Sequence, residues 1–175
     1  YEEVVQYPFG YGLSYTGFTQ EISGGTKDGS DIDARGKITL DVTVTNIGEV
    51  AGKDVVEVYY TAPYTGYDQD AGIEKSAVNL IEYEKTDLLN PGESEELSVT
   101  IHMEDLASYD STHDNGDGTK GCYMLDAGAY EISIRQDSHT VIETITVNLA
   151  EDYFFCGEQK RSSDEVVATN QFEAA

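Results

Sequence analysis

The oxygen-rich run at residues 113–118, which reads HDNGDG, has the residue types of a calcium-binding loop. An EF-hand loop needs a ligand at its first position and a bidentate glutamate at its twelfth. His113 and Met124 stand at these two positions, and neither offers a hard oxygen. The sequence therefore favours an ordinary solvated turn over a calcium site, and we assign no metal ligand.

A second long loop, residues 62–79, combines aromatic rings with carboxylates. Tyr64 and Tyr67 lie close in sequence to Asp68 and Asp70. Rings that stack on a sugar beside acids that bond its hydroxyls would make a sugar contact. Tyrosine is also enriched at protein interfaces. The interface is the favoured interpretation of these four residues, and the sugar contact stays open.

The sequence shows no catalytic constellation. Hydrolysis of a glycoside needs two carboxyl groups facing each other across a cleft, and 34 acidic residues offer too many pairs to single one out. The three histidines are scattered, and no serine lies in a GxSxG setting. Phosphate and dinucleotide motifs are missing as well. We therefore assign no catalytic residue and no cofactor.

The charge of the chain excludes two classes of partner. The 34 acidic and 10 basic residues give a formal net charge of −24 over 175 residues. Such an acidic surface repels the phosphates of nucleic acids and anionic membranes. No apolar run approaches the roughly 20 residues that a membrane helix needs. We expect neither nucleic acid nor membrane as a partner.

Cys122 and Cys156 are too few for a disulfide framework, and their spacing fits neither a CxxC pair nor a zinc site. Free thiols in a reducing compartment are favoured, so we expect the bacterial cytoplasm, with secretion as the alternative. A single bridge between the two remains open, because a β fold can bring distant segments together.

Alternating apolar residues predict strands that would support these loops. Residues 38–46 place Ile38, Leu40, Val42 and Val44 on one face. Further strands are predicted at 54–61, 80–88 (weaker), 95–102, 130–135 and 140–147. Because no convincing long helix lies between residues 18 and 149, we predict an all-β fold, an antiparallel fibronectin type III or immunoglobulin-like β-sandwich with extended tails.

Two details refine this prediction. Tyr130 follows Gly128 and Ala129 at a strand entrance, as in a tyrosine corner, so it is interpreted as a structural anchor and not as a catalytic acid. The chain has no tryptophan, and Ile132 stands where an antibody-type domain has its second bridging cysteine. The fibronectin type III type is therefore favoured over the antibody type.

The two ends of the chain differ from the sandwich. Residues 1–17 are predicted to be a connector from a preceding α/β domain, whose rings Phe9, Tyr11 and Tyr15 need an apolar surface to cover them. We expect these rings to be more exposed here than in a packed connector. Residues 18–149 form the predicted sandwich, and residues 150–175 a polar tail. Ser162 and Glu165 could cap a short helix that extends through Phe172.

Several motifs occur in the order of one known family. They are the connector at 8–18, VTVTNIG at 42–48, AGKDVVEVY at 51–59, EYEKT at 82–86, LNPGES at 89–94, LASYD at 106–110 and GAYEI at 128–132. Through them the chain resembles the fibronectin type III-like domain of glycoside hydrolase family 3, the family of β-glucosidase-like enzymes.

The resemblance implies a non-catalytic domain. In that family the nucleophilic aspartate belongs to a TIM-like barrel and the acid/base glutamate usually to an α/β sandwich domain, so no catalytic residue is carried over. The implied partners are these two domains of the same polypeptide and, through the parent enzyme, an oligosaccharide substrate. The tail at 164–172 resembles the linker of members in which the barrel follows the sandwich.

Two other functions are compatible with this sequence. One is an independent carbohydrate-binding or calcium-dependent cell-surface module built on the same sandwich. The other is a free-standing hydrolase, which would turn over aryl glycosides by itself.

Overall fold

A computed structural model describes residues 4–172. Its strands are β1 Phe18–Gly25, β2 Ser30–Asp31, β3 Lys37–Asn46, β4 Val55–Thr61, β5 Asn79–Lys85, β6 Ser94–His102, β7 Ser108–Asp114, β8 Lys120–Leu125, β9 Gly128–Arg135, β10 Val141–Leu149 and β11 Tyr153–Phe155. A helix, α1, spans Gly66–Ala71, and a 3-10 helix spans Met103–Leu106. Within residues 4–172, no helix has the length and apolar character needed to cross a membrane.

Two sheets face each other as a sandwich. One has the strand order β1-β3-β6 and the other the order β2-β10-β9-β4-β5. The long strands pair antiparallel, and the short β2 joins β10 in parallel. The predicted fibronectin type III or immunoglobulin-like β-sandwich is thereby confirmed, with all six predicted strands present.

The core lies between the two sheets. The four apolar residues of β3 that the sequence placed on one face are all fully buried, and Ile132 and Ile134 of β9 are buried in the same cluster. Burying each such side chain contributes about 1.5–3 kcal/mol. This shared apolar layer therefore fixes the strand ends from which the loops emerge.

A third sheet, of order β11-β8-β7, was not predicted. Its strands β7 and β8 form a hairpin that follows the 3-10 helix, and the run at 113–118 lies at the tip of this hairpin. Strand β7 reads SYDSTHD, and its polar residues hide the two-residue period. The first strand, β1, was missed as well.

The helix expected after Ser162 is wrong, because the described residues 156–172 contain no helix. The Ser162 N–H donates to the buried Glu104 carboxylate at 2.8 Å instead of starting a helix. Nearby, the Arg161 guanidinium lies 3.5 Å from the centroid of the Tyr123 ring and forms an ion pair with Asp164. The tail is therefore held in an irregular conformation by side-chain contacts.

Residues 4–17 precede β1, which begins at Phe18, and residues 150–172 follow β10, which ends at Leu149. The tail also supplies β11, which pairs with β8. Residues 1–3 of the expected connector and 173–175 of the expected tail lie outside the described residues.

Candidate contact surface

A buried ion cluster anchors the loop at 62–79. The Lys75 ammonium lies 2.7 Å from an oxygen of Asp68, contacts the carboxylate of Asp126, and donates to the Pro63 carbonyl oxygen at 3.0 Å. The three charged side chains are at most 6% exposed. Buried charges need such partners. Lys75 therefore holds the loop to the turn between β8 and β9, where Asp126 lies.

Helix α1 follows Thr65 because that residue forms a capping box. The Thr65 N–H donates to the Asp68 carboxylate at 2.6 Å, and the Asp68 N–H donates to the Thr65 hydroxyl at 3.3 Å. The helix ends at Ala71 and is capped by Gly72, whose φ of +69° is left-handed and suits glycine. This short, capped turn orients Tyr67 and Asp70.

The phenol of Tyr67 is fixed against the β7–β8 hairpin. Its hydroxyl donates to Asp110 at 2.6 Å, and its ring meets the edge of Phe154 at 6.2 Å between centroids. The His113 ring also stacks on Phe154, at 4.3 Å between ring centroids. Burial and the hydrogen bond to Asp110 raise the pKa of Tyr67 well above its usual range. Tyr67 therefore stays a neutral phenol in a fixed position.

Asp110 is the acceptor at the centre of this arrangement. Burial acts to raise its pKa, but hydrogen bonds from Tyr67, Thr112 and His113 outweigh burial and lower the pKa below its ordinary value. The carboxylate accepts the Thr112 N–H at 2.7 Å and the Thr112 hydroxyl at 2.8 Å. Asp110 is thus ionised, and the hydrogen bonds it accepts hold the hairpin in position.

The four loop residues that the sequence singled out differ in their exposure to solvent. Tyr64 is 56% exposed, Tyr67 is 40% exposed, and Asp70 is exposed as well. Asp68 is fully buried, so it cannot touch a second molecule and serves to position the loop. We call the exposed side chains the loop surface; it comprises Tyr64, Tyr67 and Asp70 together with the half-buried His113 and Phe154.

Sequence reasoning missed Lys75, Asp110 and Asp126. The capping pattern formed by Thr65 and Asp68 could have indicated the role of Asp68. No local pattern links Lys75 to Asp126, because the two lie in different loops.

The segment that the sequence predicted to be a connector presents a second exposed surface. Phe9, Tyr11 and Tyr15 are between 45% and 100% exposed. The backbone beneath them is held, since the Ser138 N–H donates to the Phe9 carbonyl oxygen at 2.9 Å. Gly10, with a φ of +85°, lies so close to the sheet that a Cβ there would fall 2.3 Å from Glu57 Oε2. We call Phe9, Tyr11 and Tyr15 the connector surface.

Tyr130 links the loop anchor to the core. Its hydroxyl donates to the Asp126 carbonyl oxygen at 3.0 Å, and its side chain is buried, which is the geometry of a tyrosine corner. Tyr130 holds the backbone of Asp126 while Lys75 holds the carboxylate. Its role in this geometry is structural.

The acidic tip of the β7–β8 hairpin uses its carboxylates within the turn. Asp114 accepts the Gly116 N–H at 2.9 Å, and Asp117 accepts both the N–H and the hydroxyl of Thr119. Over the described range, no group of three or more His, Cys, Asp or Glu side chains is arranged to hold a metal ion.

The fold and the sequence agree with known proteins. The family model for the fibronectin type III-like domain matches residues 54–138. The chain is 44% identical over 138 residues to β-glucosidase A of Butyrivibrio fibrisolvens, covering 74% of this chain and 16% of that protein. It is 36% identical over 146 residues to a β-glucosidase of Ruminococcus albus, covering 83% of this chain and 14% of that one.

Solved β-glucosidase structures also contain this fold as a small part of their chains. The β-glucosidase 3B of Thermotoga neapolitana in complex with glucose superposes with a TM-score of 0.68 at 33% identity, over 87% of this chain and 18% of that one. The β-glucosidase of Kluyveromyces marxianus in complex with glucose gives 0.68 at 27% identity, over 87% and 16%. The chain thus spans less than a fifth of the length of these relatives.

The sandwich and the family match define a fibronectin type III-like domain. Each relative named above is a β-glucosidase in which the matching part is a small fraction of the whole. The chain belongs to the fibronectin type III-like domains of the glycoside hydrolase family 3 β-glucosidases, and the resemblance stated from its sequence is confirmed.

Proposed function

We propose that this chain is a non-catalytic domain of a larger β-glucosidase and that it packs on the other domains of the same polypeptide. This proposal rests mainly on the observation that about three quarters or more of the chain aligns with a small part of several β-glucosidases. The catalytic carboxylates and the oligosaccharide site would then lie in an α/β sandwich domain and a TIM-like barrel outside these 175 residues.

The loop surface and the connector surface are the proposed contact regions. Both expose aromatic rings over a backbone that is held in place, in one case by the Lys75 cluster and in the other by the Phe9–Ser138 hydrogen bond. Rigid aromatic rings lose little entropy on binding and are enriched at interfaces. The loop surface would shape the substrate entrance if it lies beside the barrel.

Activity assays test the proposed function. The purified chain and the full-length polypeptide that contains it are each given an aryl β-glucoside. We expect hydrolysis by the full-length polypeptide and none by the chain. Turnover by the purified chain, or a full-length polypeptide without glycosidase activity, would overturn the proposal.

A single exposed ring tests the loop surface. Tyr64→Ser should change the unfolding free energy of the isolated chain by no more than about 0.5 kcal/mol, because the site is on the surface. In the full-length enzyme we expect it to raise the Michaelis constant or to lower the melting temperature. The matched control is Tyr83→Ser, which alters a 63% exposed tyrosine on β5. Equal behaviour of both variants in the full-length enzyme would refute a contact at Tyr64.

Direct sugar binding at the loop surface is a second candidate. It is favoured by one observation, the exposure of Tyr64 and Tyr67 beside Asp70. Titration of the isolated chain with cellobiose tests it by the chemical shifts of these residues. Saturable shifts at Tyr64 and Tyr67 would favour sugar binding, and unchanged shifts would leave the domain contact as the function of this surface.

A further inference from the structure

Cys122 lies in β8, and Cys156 directly follows the neighbouring strand β11. Strands β8 and β11 pair antiparallel, with Tyr153 opposite Leu125, Phe154 opposite Met124, and Phe155 opposite Tyr123. One more step in this register places Cys156 opposite Cys122. Opposed residues of an antiparallel pair have Cα atoms about 4.5 or 5.5 Å apart. A disulfide accepts Cα separations of about 4.4–6.8 Å.

If the side-chain alternation of β11 continues by one residue, both cysteines fall on the same face of this sheet. The alternating residues Tyr123, Leu125, Tyr153 and Phe155 pack with the main core. Cys122 and Cys156 alternate with them, so their thiols share the opposite face with Phe154, where Tyr67 of α1 packs. A bond between the two sulfurs would therefore need no reversal of either side chain.

The environments of the two thiols differ. Cys122 is fully buried and Cys156 is half-buried, and both are free thiols in the structure. Burial and the nearby Cys156 raise the pKa of Cys122 to about 12. The influence of Cys156 on Cys122 agrees with the proximity that the register gives.

We infer that Cys122 and Cys156 form an intramolecular cross-strand disulfide when the chain meets a thiol oxidant such as glutathione disulfide. The half-buried Cys156 thiol loses its proton and attacks glutathione disulfide, which forms a mixed disulfide and releases one glutathione. The Cys122 thiol then loses its proton and attacks the Cys156 sulfur, which releases the second glutathione. Two electrons pass from the two thiols to the oxidant.

The pair differs from a fast redox sensor in its second step. Because only the thiolate attacks, the buried Cys122 reacts slowly near neutral pH and faster as the pH rises. The product would tie β11 to β8. It would also close the chain segment between residues 122 and 156, and such a closure stabilises the folded state by constraining the unfolded chain.

The test uses the full chain in buffers of reduced and oxidised glutathione, followed by alkylation and intact-mass measurement. We expect a product lighter by two hydrogens with no alkylated cysteine, formed faster at higher pH. Its melting temperature should exceed that of the reduced chain by several degrees, and a reductant should reverse both changes.

The matched variant is Cys156→Ser, which alters the half-buried member and leaves the core intact. It should keep a free Cys122 and show no gain in melting temperature under oxidation. The inference is overturned if the parent chain stops at a glutathione adduct on Cys156, if it forms only intermolecular dimers, or if both thiols stay free under all the redox buffers used.

Discussion

Replacing Lys75 with methionine removes the one cation of the buried cluster and keeps most of the side-chain volume. The carboxylates of Asp68 and Asp126 would then face each other without a counter-charge, both at most 2% exposed. Breaking a buried ion pair by removing one partner costs about 3–5 kcal/mol. For a chain of this size, each kcal/mol of lost stability lowers the melting temperature by about 2–4 °C, so we expect a fall of about 6–20 °C.

Protonation limits this loss. Burial raises the pKa of Asp126, although Lys75 opposes the rise, so without Lys75 this carboxyl should take up a proton more readily. Adding Asp126→Asn to Lys75→Met removes one of the two buried charges. We expect the double variant to recover part of the lost stability, with a coupling energy of about 0.5–3 kcal/mol.

The assay is urea unfolding of five chains: parent, Lys75→Met, Asp126→Asn, the double variant and the control Lys53→Met, because a coupling energy requires both single variants. Lys53 forms a pair with Asp87 at 3.7 Å whose side chains are 44% and 92% exposed, so its loss should cost less than about 1 kcal/mol. The reasoning is refuted if Lys75→Met unfolds as the control does. It is also refuted if the double variant shows no coupling.

Two other changes test the packing around the loop surface. The pKa of Asp110 is lowered in the folded state, so its contribution to stability is present above the unfolded pKa of about 3.9 and is lost as the pH falls through the folded pKa. The difference in unfolding free energy between the parent and Asp110→Asn should therefore narrow between roughly pH 5 and pH 2. A difference that stays constant over this acid titration would contradict the prediction. Tyr130→Phe deletes the hydrogen bond to the buried Asp126 carbonyl and should lower the free energy of unfolding in urea by about 1–2 kcal/mol. An unfolding free energy equal to that of the parent would contradict this prediction.

Two of the strands that the sequence predicted, β3 and β6, show a regular alternation. Their buried residues are apolar, except for Asn46 at the end of β3, and alternate with polar residues, because one face meets the core and the other meets water. Strand β7 breaks this rule, since it buries Asp110 and satisfies it with hydrogen bonds. A pattern built on apolar residues cannot find such a strand.

The loop at 62–79 also shows that a sequence pattern does not separate buried from exposed residues. The sequence grouped Asp68 with Tyr64 as exposed contacts, because both lie in a long polar loop. The structure separates them through Lys75, whose second partner Asp126 lies far along the chain. Sequence spacing alone does not show a contact between distant loops.

Hydroxyl-radical labelling of tyrosines in the isolated chain and in the full-length polypeptide tests directly whether other domains cover the connector surface and the loop surface. In the isolated chain Tyr15 and Tyr64 are exposed, as is the reference residue Tyr83. If other domains cover the connector surface and the loop surface, Tyr15 and Tyr64 will be labelled less in the full-length polypeptide while Tyr83 is labelled equally in both. Equal labelling of all three tyrosines in the two proteins would contradict the proposed role.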